Sequence, residues 1–138
     1  MMFGVATSDD DRGHLVLLRA KSVFVLLNLY PYSSGHLMIA PYEHTGDLVH
    51  LDKDSAAELM HATHRGVDVL QREYRPDAFN IGMNLGKVAG AGVPDHLHVH
   101  VVPRWGGDTN FMPVLADTKV LPESLDQTYG RLEPYFRS

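Results

Sequence analysis

The stretch "HLHVHVVPRW", residues 96–105, alternates histidine with an aliphatic residue over its first five positions. Side chains of a strand point to opposite faces in turn, so the pattern predicts a β-strand with His96, His98 and His100 on one face. Leu97, Val99 and Val101 then turn into a core. One face is read as wet and free for chemistry, the other as packing.

Three imidazoles so close together can serve as metal ligands or as acid–base and nucleophilic groups. At about 3.3 Å per residue the outer two are anchored about 13 Å apart, whereas zinc ligands must approach within about 2.1 Å of the metal. Two neighbours can share an ion; all three need a sharp bend. No HExxH pattern is present, so a metal-binding protein using the cluster stays as the alternative of a different class. Imidazole titrates near neutrality, which lets neighbouring copies divide the labour between a neutral nucleophile and hydrogen-bond or proton donors. That division suits phosphoryl and nucleotidyl transfer, where catalysis is mainly positioning and stabilisation of charge on phosphate oxygens.

Upstream, "NLGKVAGAG" (residues 84–92) places glycines where backbone N–H groups can approach an anion closely. It is neither a P-loop nor a dinucleotide fingerprint. Next to the histidines it reads as a phosphate cradle; alone it is a flexible turn.

Around these motifs the chain reads as α+β. Strand-like stretches "HLVLLR" (14–19), "SVFVLLNL" (22–29) and "GHLMIAP" (35–41) form part of an antiparallel meander, with the turn formers of "YPYSSG" between the last two. Residues 52–74 carry Leu59, Met60, Thr63, Val67, Leu70 and Tyr74 at steps of three and four. With Asp52 or Asp54 as N-cap and Pro76 beyond the end, this predicts a long amphipathic helix whose His61 and His64 are solvated or packing residues. "AFNIGMNL" (78–85) is a further strand, and a final helix is expected near Pro122, carrying Leu125, Thr128, Tyr129 and Leu132.

At 138 residues, one domain over 1–138 is expected, with 1–12 a frayed lead-in containing the acidic run Asp9–Asp11. Twelve Lys and Arg against 17 Asp and Glu give a net charge of −5, which disfavours binding to nucleic acid. Zero cysteines exclude disulfides, thiolate metal sites and a cysteine nucleophile. No apolar run approaches the roughly 20 residues of a membrane span and no signal-peptide core is seen, so a cytoplasmic protein that does not bind membranes is expected.

"HLHVHVV" satisfies every position of the His-φ-His-φ-His-φ-φ signature of the histidine-triad superfamily, where φ is apolar. "NLYPYSSGHLMIAPYEH" (residues 28–44) resembles the superfamily's N-x-x-P…GH-x-L-x-x-P-x-x-H segment. The resemblance covers nearly the whole chain and implies an antiparallel sheet of about five strands with one long helix and a C-terminal helix.

It also implies roles. His98 would be the nucleophile that forms a covalent nucleotidyl intermediate, with His96 and His100 flanking it and His36 supporting the triad or packing the turn. Asn28 falls where the superfamily contacts ribose and Asn84 where it contacts phosphate, with Gly90, Ala91 and Gly92 in the cradle. "HLHVHVVPRWGGDTNFM" looks most like the bacterial diadenosine tetraphosphate phosphorylases and hydrolases. There Trp105 matches a position tied to substrate selection, with Asp108, Thr109 and Asn110 as weaker candidates for the same side.

Two departures are visible. The loop before the triad reads Ala91, Gly92, Val93 where relatives carry Gln or Ser, and the cysteine pairs that bind structural zinc in some relatives are missing. The resemblance implies an adenosine polyphosphate as substrate, phosphate or water as acceptor, and a homodimer or higher homo-oligomer. No cofactor is required, though Mg²⁺ can accompany the polyphosphate. Hydrolysis of nucleoside phosphoramidates is the alternative within the superfamily, and a catalytically silent nucleotide sensor is a third reading.

Overall fold

The computed structural model describes residues 9–29, 33–90, 96–107 and 123–137. In chain order these give β1 (Val16–Arg19), β2 (Val23–Leu27), β3 (Leu37–Pro41), α1 (Lys53–Tyr74), β4 (Ala78–Gly82), β5 (Val99–Arg104) and α2 (Leu125–Arg137). The strands form one antiparallel sheet in the order β1-β2-β3-β5-β4. The α+β architecture expected from the sequence is therefore present, with β5 inserted between β3 and the edge strand β4.

Period-two patterning decides the two faces of this sheet. Val23, Val25 and Leu27 of β2 and Leu37 and Ile39 of β3 belong to the main core with Leu59, Leu70 and Leu132 of the helices. The intervening residues Phe24, Leu26, Met38 and Ala40 form a second apolar cluster with Val16 on the opposite face. Leu26 and Met38 face each other across β2–β3, and Met38 faces His100 across β3–β5. The second face thus carries a buried apolar floor that runs directly to His100.

Helix α1 starts where Asp52, not Asp54, accepts a hydrogen bond from Ser55 N, and ends at Arg75 in the left-handed conformation one residue before Pro76. Its buried stripe is Leu59, Ala62, Thr63, Gly66, Val69 and Leu70. Met60 is not part of it and is 66 % exposed; His61 and His64 are exposed, as expected. Glu58 crosses from α1 to the β1–β2 turn, where its carboxylate accepts from the N–H of Ser22, the N–H of Val23 and the Ser22 hydroxyl.

Ser124 and Gln127 cap α2 reciprocally, Gln127 N donating to Ser124 Oγ and Ser124 N to Gln127 Oε1. Thr128, Tyr129, Leu132 and Phe136 are buried; Pro122, near which the sequence places the helix start, lies outside the described residues. α2 is tied to α1 by Arg131, which pairs with Glu73 and Glu123 while lying over the Tyr74 ring. Of the expected frayed lead-in, Asp11 pairs with Arg19 and Arg12 with Asp126, so its last residues are joined to the fold; residues 1–8 lie outside the described residues.

Candidate active site

β5 begins at Val99, so only His100 of the three alternating histidines lies within the strand. His96 and His98 enter just before it, and the expected wet face is corrected: His96 is fully buried and His98 is 6 % exposed. The cause is the loop after β3, which lies against this segment. Leu97 N donates to Thr45 O at 2.7 Å, and His96 Nε2 donates to the Pro41 carbonyl at 2.8 Å.

His98 Nδ1 lies 3.0 Å from the His96 carbonyl oxygen. A carbonyl can only accept, so Nδ1 carries the proton and Nε2 holds the lone pair. This is the tautomer a nucleophile needs, and a main-chain atom enforces it. The His100 ring stands 4.6 Å from the His98 ring, nearly perpendicular to it.

His36, at the entry to β3, is 5 % exposed and reaches the same place. Its Nε2 is 2.9 Å from His100 Nδ1, which places it in contact with the last triad histidine. Gly35 (φ +84°) and the Ser33 hydroxyl, donating to Pro103 O at 2.9 Å, shape the turn that delivers it. Asn28 stands across the hairpin, with Nδ2 3.3 Å from His36 Nδ1. His36, His98, His100 and Asn28 therefore form one connected group.

Burial, reinforced by the neighbouring His100 and His98, pushes His36 down to about 4; burial also lowers His96 and His100 from their ordinary value. The unfolded chain takes up protons near pH 6.5, where the folded chain resists them. The stability these groups confer is complete above about pH 6.5 and is lost as pH falls toward 4, at about 1.4 kcal/mol per pH unit for each proton. Urea midpoints at pH 7.5, 5.5 and 4.5 should fall in that order, and less steeply in His36→Phe; equal midpoints at pH 7.5 and 4.5 would contradict a neutral buried cluster.

The remaining candidates divide. Gly82 pairs with His100, and a Cβ built on it meets nothing within 4 Å, so there is open space beside that ring. Asn84 follows two residues later, toward the end at which His98 enters, and its Nδ2 contacts Gly90 O at 3.5 Å. Gly86 and Gly90 both have positive φ around a 3-10 turn over Lys87–Ala89. Ala91, Gly92, Asp108, Thr109 and Asn110 lie outside the described residues. Trp105 follows β5 at its far end, about 20 Å along the strand from His98 at the usual rise. There Asp77 accepts from Gly106 N at 2.7 Å.

The sequence alone gives no role to one residue of this group: His44, whose ring sets its edge against His96 with centroids 5.2 Å apart. The signal is present as the last position of "GHLMIAPYEH". His96 Nδ1, facing away from Pro41, is buried without a hydrogen-bond partner among the described residues.

The chain is 48 % identical over 119 residues to an AP-4-A phosphorylase of Mycobacterium tuberculosis, covering 86 % of this chain and 60 % of the relative. A bis(5'-adenosyl)-triphosphatase of Saccharomyces cerevisiae is 31 % identical over 94 residues, covering 65 % of this chain and 44 % of the relative. The match thus spans only 44–60 % of the length of these relatives. Among solved structures, a Zn-bound histidine triad family protein from Mycobacterium smegmatis superposes with a TM-score of 0.76 at 22 % identity, covering 99 % of this chain and 91 % of that one.

Among the described residues the side chains do not make a closed structural zinc site. Such a site takes four protein donors, yet the chain has no cysteine, and among the described residues no group of three His, Asp or Glu is placed to hold a metal ion. Within the described residues, likewise, no helix is long and apolar enough to cross a membrane.

The HIT domain family pattern matches residues 12–107. That span runs from the lead-in to β1 through the glycine turn after β5, and includes every histidine described above. The chain belongs to the HIT domain family.

Proposed function

We propose that this protein transfers a nucleotidyl group from a dinucleoside polyphosphate, with diadenosine tetraphosphate as the preferred substrate, through His98. The observation that carries the reading is the His98 Nδ1–H bond to the His96 carbonyl, which leaves Nε2 as a lone pair beside the His100 ring. The similarity to an AP-4-A phosphorylase supports the choice of substrate.

His98 Nε2 attacks the α-phosphorus in line. A P–N bond forms, the P–O bond to the departing ATP breaks, and AMP is held as a phosphoramidate. The charge that develops on the ring is stabilised by the His96 carbonyl at Nδ1. An oxygen of inorganic phosphate, or of water, then displaces the histidine and releases ADP or AMP. Two inversions give net retention at phosphorus. The apolar floor of Leu26 and Met38 suits the adenosine, Asn28 the ribose, and Asn84 with the glycine turn the phosphates. His36 and His100 complete the catalytic group, and Trp105 is assigned to the distal part of the substrate. Mg²⁺, if used, accompanies the polyphosphate.

Incubation with diadenosine tetraphosphate, with and without inorganic phosphate, tests this. Phosphate-dependent ADP alongside ATP supports a phosphorylase, AMP alongside ATP a hydrolase, and neither product overturns the reading.

A homodimer is part of the same proposal. β4 is an edge strand among the described residues, and Ile81 on it is 50 % exposed; such an edge invites pairing. Arg65 marks the side of α1 facing α2, since it donates to Tyr135 O and Phe136 O. Met60 lies about 140° round the helix from it, adding apolar surface on the other flank. Ile81→Glu should convert a dimer to a monomer by light scattering; a monomeric parent protein would refute the arrangement. A cytoplasmic location accords with the nucleotide substrate.

A further inference from the structure

Along β5 the side chains of His100, Val102 and Arg104 share one face. On the edge strand β4 they stand opposite Gly82, Asn80 and Ala78 in turn. Arg104 does not reach straight across to Ala78. Its Nη1–H donates diagonally to Asn80 Oδ1 at 2.6 Å, which draws the guanidinium back along the strand toward the histidines. At about 3.3 Å per residue its anchor then lies on the Val102 row, about 7 Å from the His100 row, where its own Cα is about 13 Å away.

The ground between is open on the β4 side. Asn80 and Gly82 are exposed, and a Cβ built on Gly82 meets nothing within 4 Å, so β4 sends no side chain up beside His100. β3, β4 and β5 hold a single Lys, Arg, Asp or Glu between them, and it is Arg104. A cross-strand pair that serves only the sheet needs no charge, whereas a guanidinium fork steadied by an amide and aimed along an open edge suits phosphate oxygens.

We propose that Arg104, held by Asn80, is a subsite for the phosphates of the departing nucleotide, so that the chain selects substrates whose leaving group is a polyphosphate. The identity of that leaving group rests on the function proposed above. β3 flanks the triad strand on one side and β4 on the other, which gives the two halves of a dinucleoside polyphosphate separate ground: the retained adenosine toward β2 and β3, the departing phosphates along β4. Asn80 adds to the subsite. Its Oδ1 faces Arg104, so its Nδ2 donors point away from the guanidinium.

Two substrates with the same adenylyl group separate the subsite from the chemistry. Diadenosine tetraphosphate loses ATP, while adenosine 5′-phosphoramidate loses ammonia and has no leaving phosphate. Arg104→Gln keeps an N–H for Asn80 and removes the charge. It should lower the ratio of kcat/KM for the first substrate to that for the second by about 10–100-fold, the size of a lost charge-assisted hydrogen bond. Asn80→Ala should shift the ratio the same way by a smaller factor.

Inorganic tripolyphosphate, titrated by calorimetry, puts the question without turnover. The parent protein should bind it, and Arg104→Gln should bind it about tenfold more weakly. No binding by the parent, equal affinity in a folded Arg104→Gln, or an equal fall on both substrates overturns the proposal. If Arg104→Gln does not fold, Asn80→Ala is read in the same titration, and unchanged affinity there overturns it. If tripolyphosphate binding depends on Arg104 but no nucleotide product is ever released, the nucleotidyl transfer fails and the anion subsite stands.

Discussion

Replacing His98 by alanine is expected to reduce turnover of the nucleotide substrate by about 10⁴-fold or more, the scale seen when a covalent nucleophile is removed from a preorganised site. Nucleotide binding should remain measurable by calorimetry, because the apolar floor and the glycine turn are untouched. The discriminating readout is a single-turnover quench. The parent protein should accumulate AMP covalently attached to itself, and His98→Ala should accumulate none. A variant with turnover within tenfold of the parent would remove His98 from the chemistry and with it the two-step mechanism.

The second large effect is on stability. Gly35 adopts φ +84°, and a Cβ there would lie 3.0 Å from Leu70 Cδ2, 3.4 Å from Tyr74 Cε2 and 3.5 Å from Pro103 Cγ. Gly35→Ala therefore combines left-handed backbone strain with overpacking against a fully buried leucine, about 2–4 kcal/mol in sum. Turnover should drop too, since His36 is the next residue and its ring must stay within reach of His100. Gly130 makes the internal comparison. It lies in α2, where an added methyl group would meet nothing within 4 Å, so Gly130→Ala should stabilise by about 0.5–1 kcal/mol. Denaturant midpoints of both variants check the pair, and a Gly35→Ala protein as stable as its parent would show that the turn can relax.

Much of this is legible in the sequence because it is written in local periodicity. The apolar steps through Leu59, Thr63 and Leu70 mark α1, and the strict alternation through residues 96–101 marks the triad. The same alternation misleads on exposure, since period two fixes which side chains share a face and says nothing about what covers it. The covering comes from Pro41 and Thr45, more than 50 positions away in the chain. Met60 shows the same limit on a helix, where spacing alone does not tell the sheet-facing stripe from its flank.

The site is legible in its residue types and less so in its wiring. "GH" at residues 35–36 singles out His36, but only the β3–β5 register, with Leu37 opposite Val101, brings it to His100. For Asn28 the sequence offers a single cue, the likeness to relatives that contact ribose there. Its contact with His36 depends on the hairpin closing as it does. His44 gains no role from sequence because its ring meets His96 across a loop whose path no periodic pattern records.

The carboxylate of Glu58 has a wider bearing. Reaching through from the helical layer, it clasps both main-chain donors at the bend joining the first two strands, so that hairpin cannot slide by a residue without breaking the clasp. A one-residue slide would turn Phe24 and Leu26 to the wrong side and break up the apolar cluster that borders His100. A helix on one side of the sheet thus acts as the registration pin for the apolar cluster on the other.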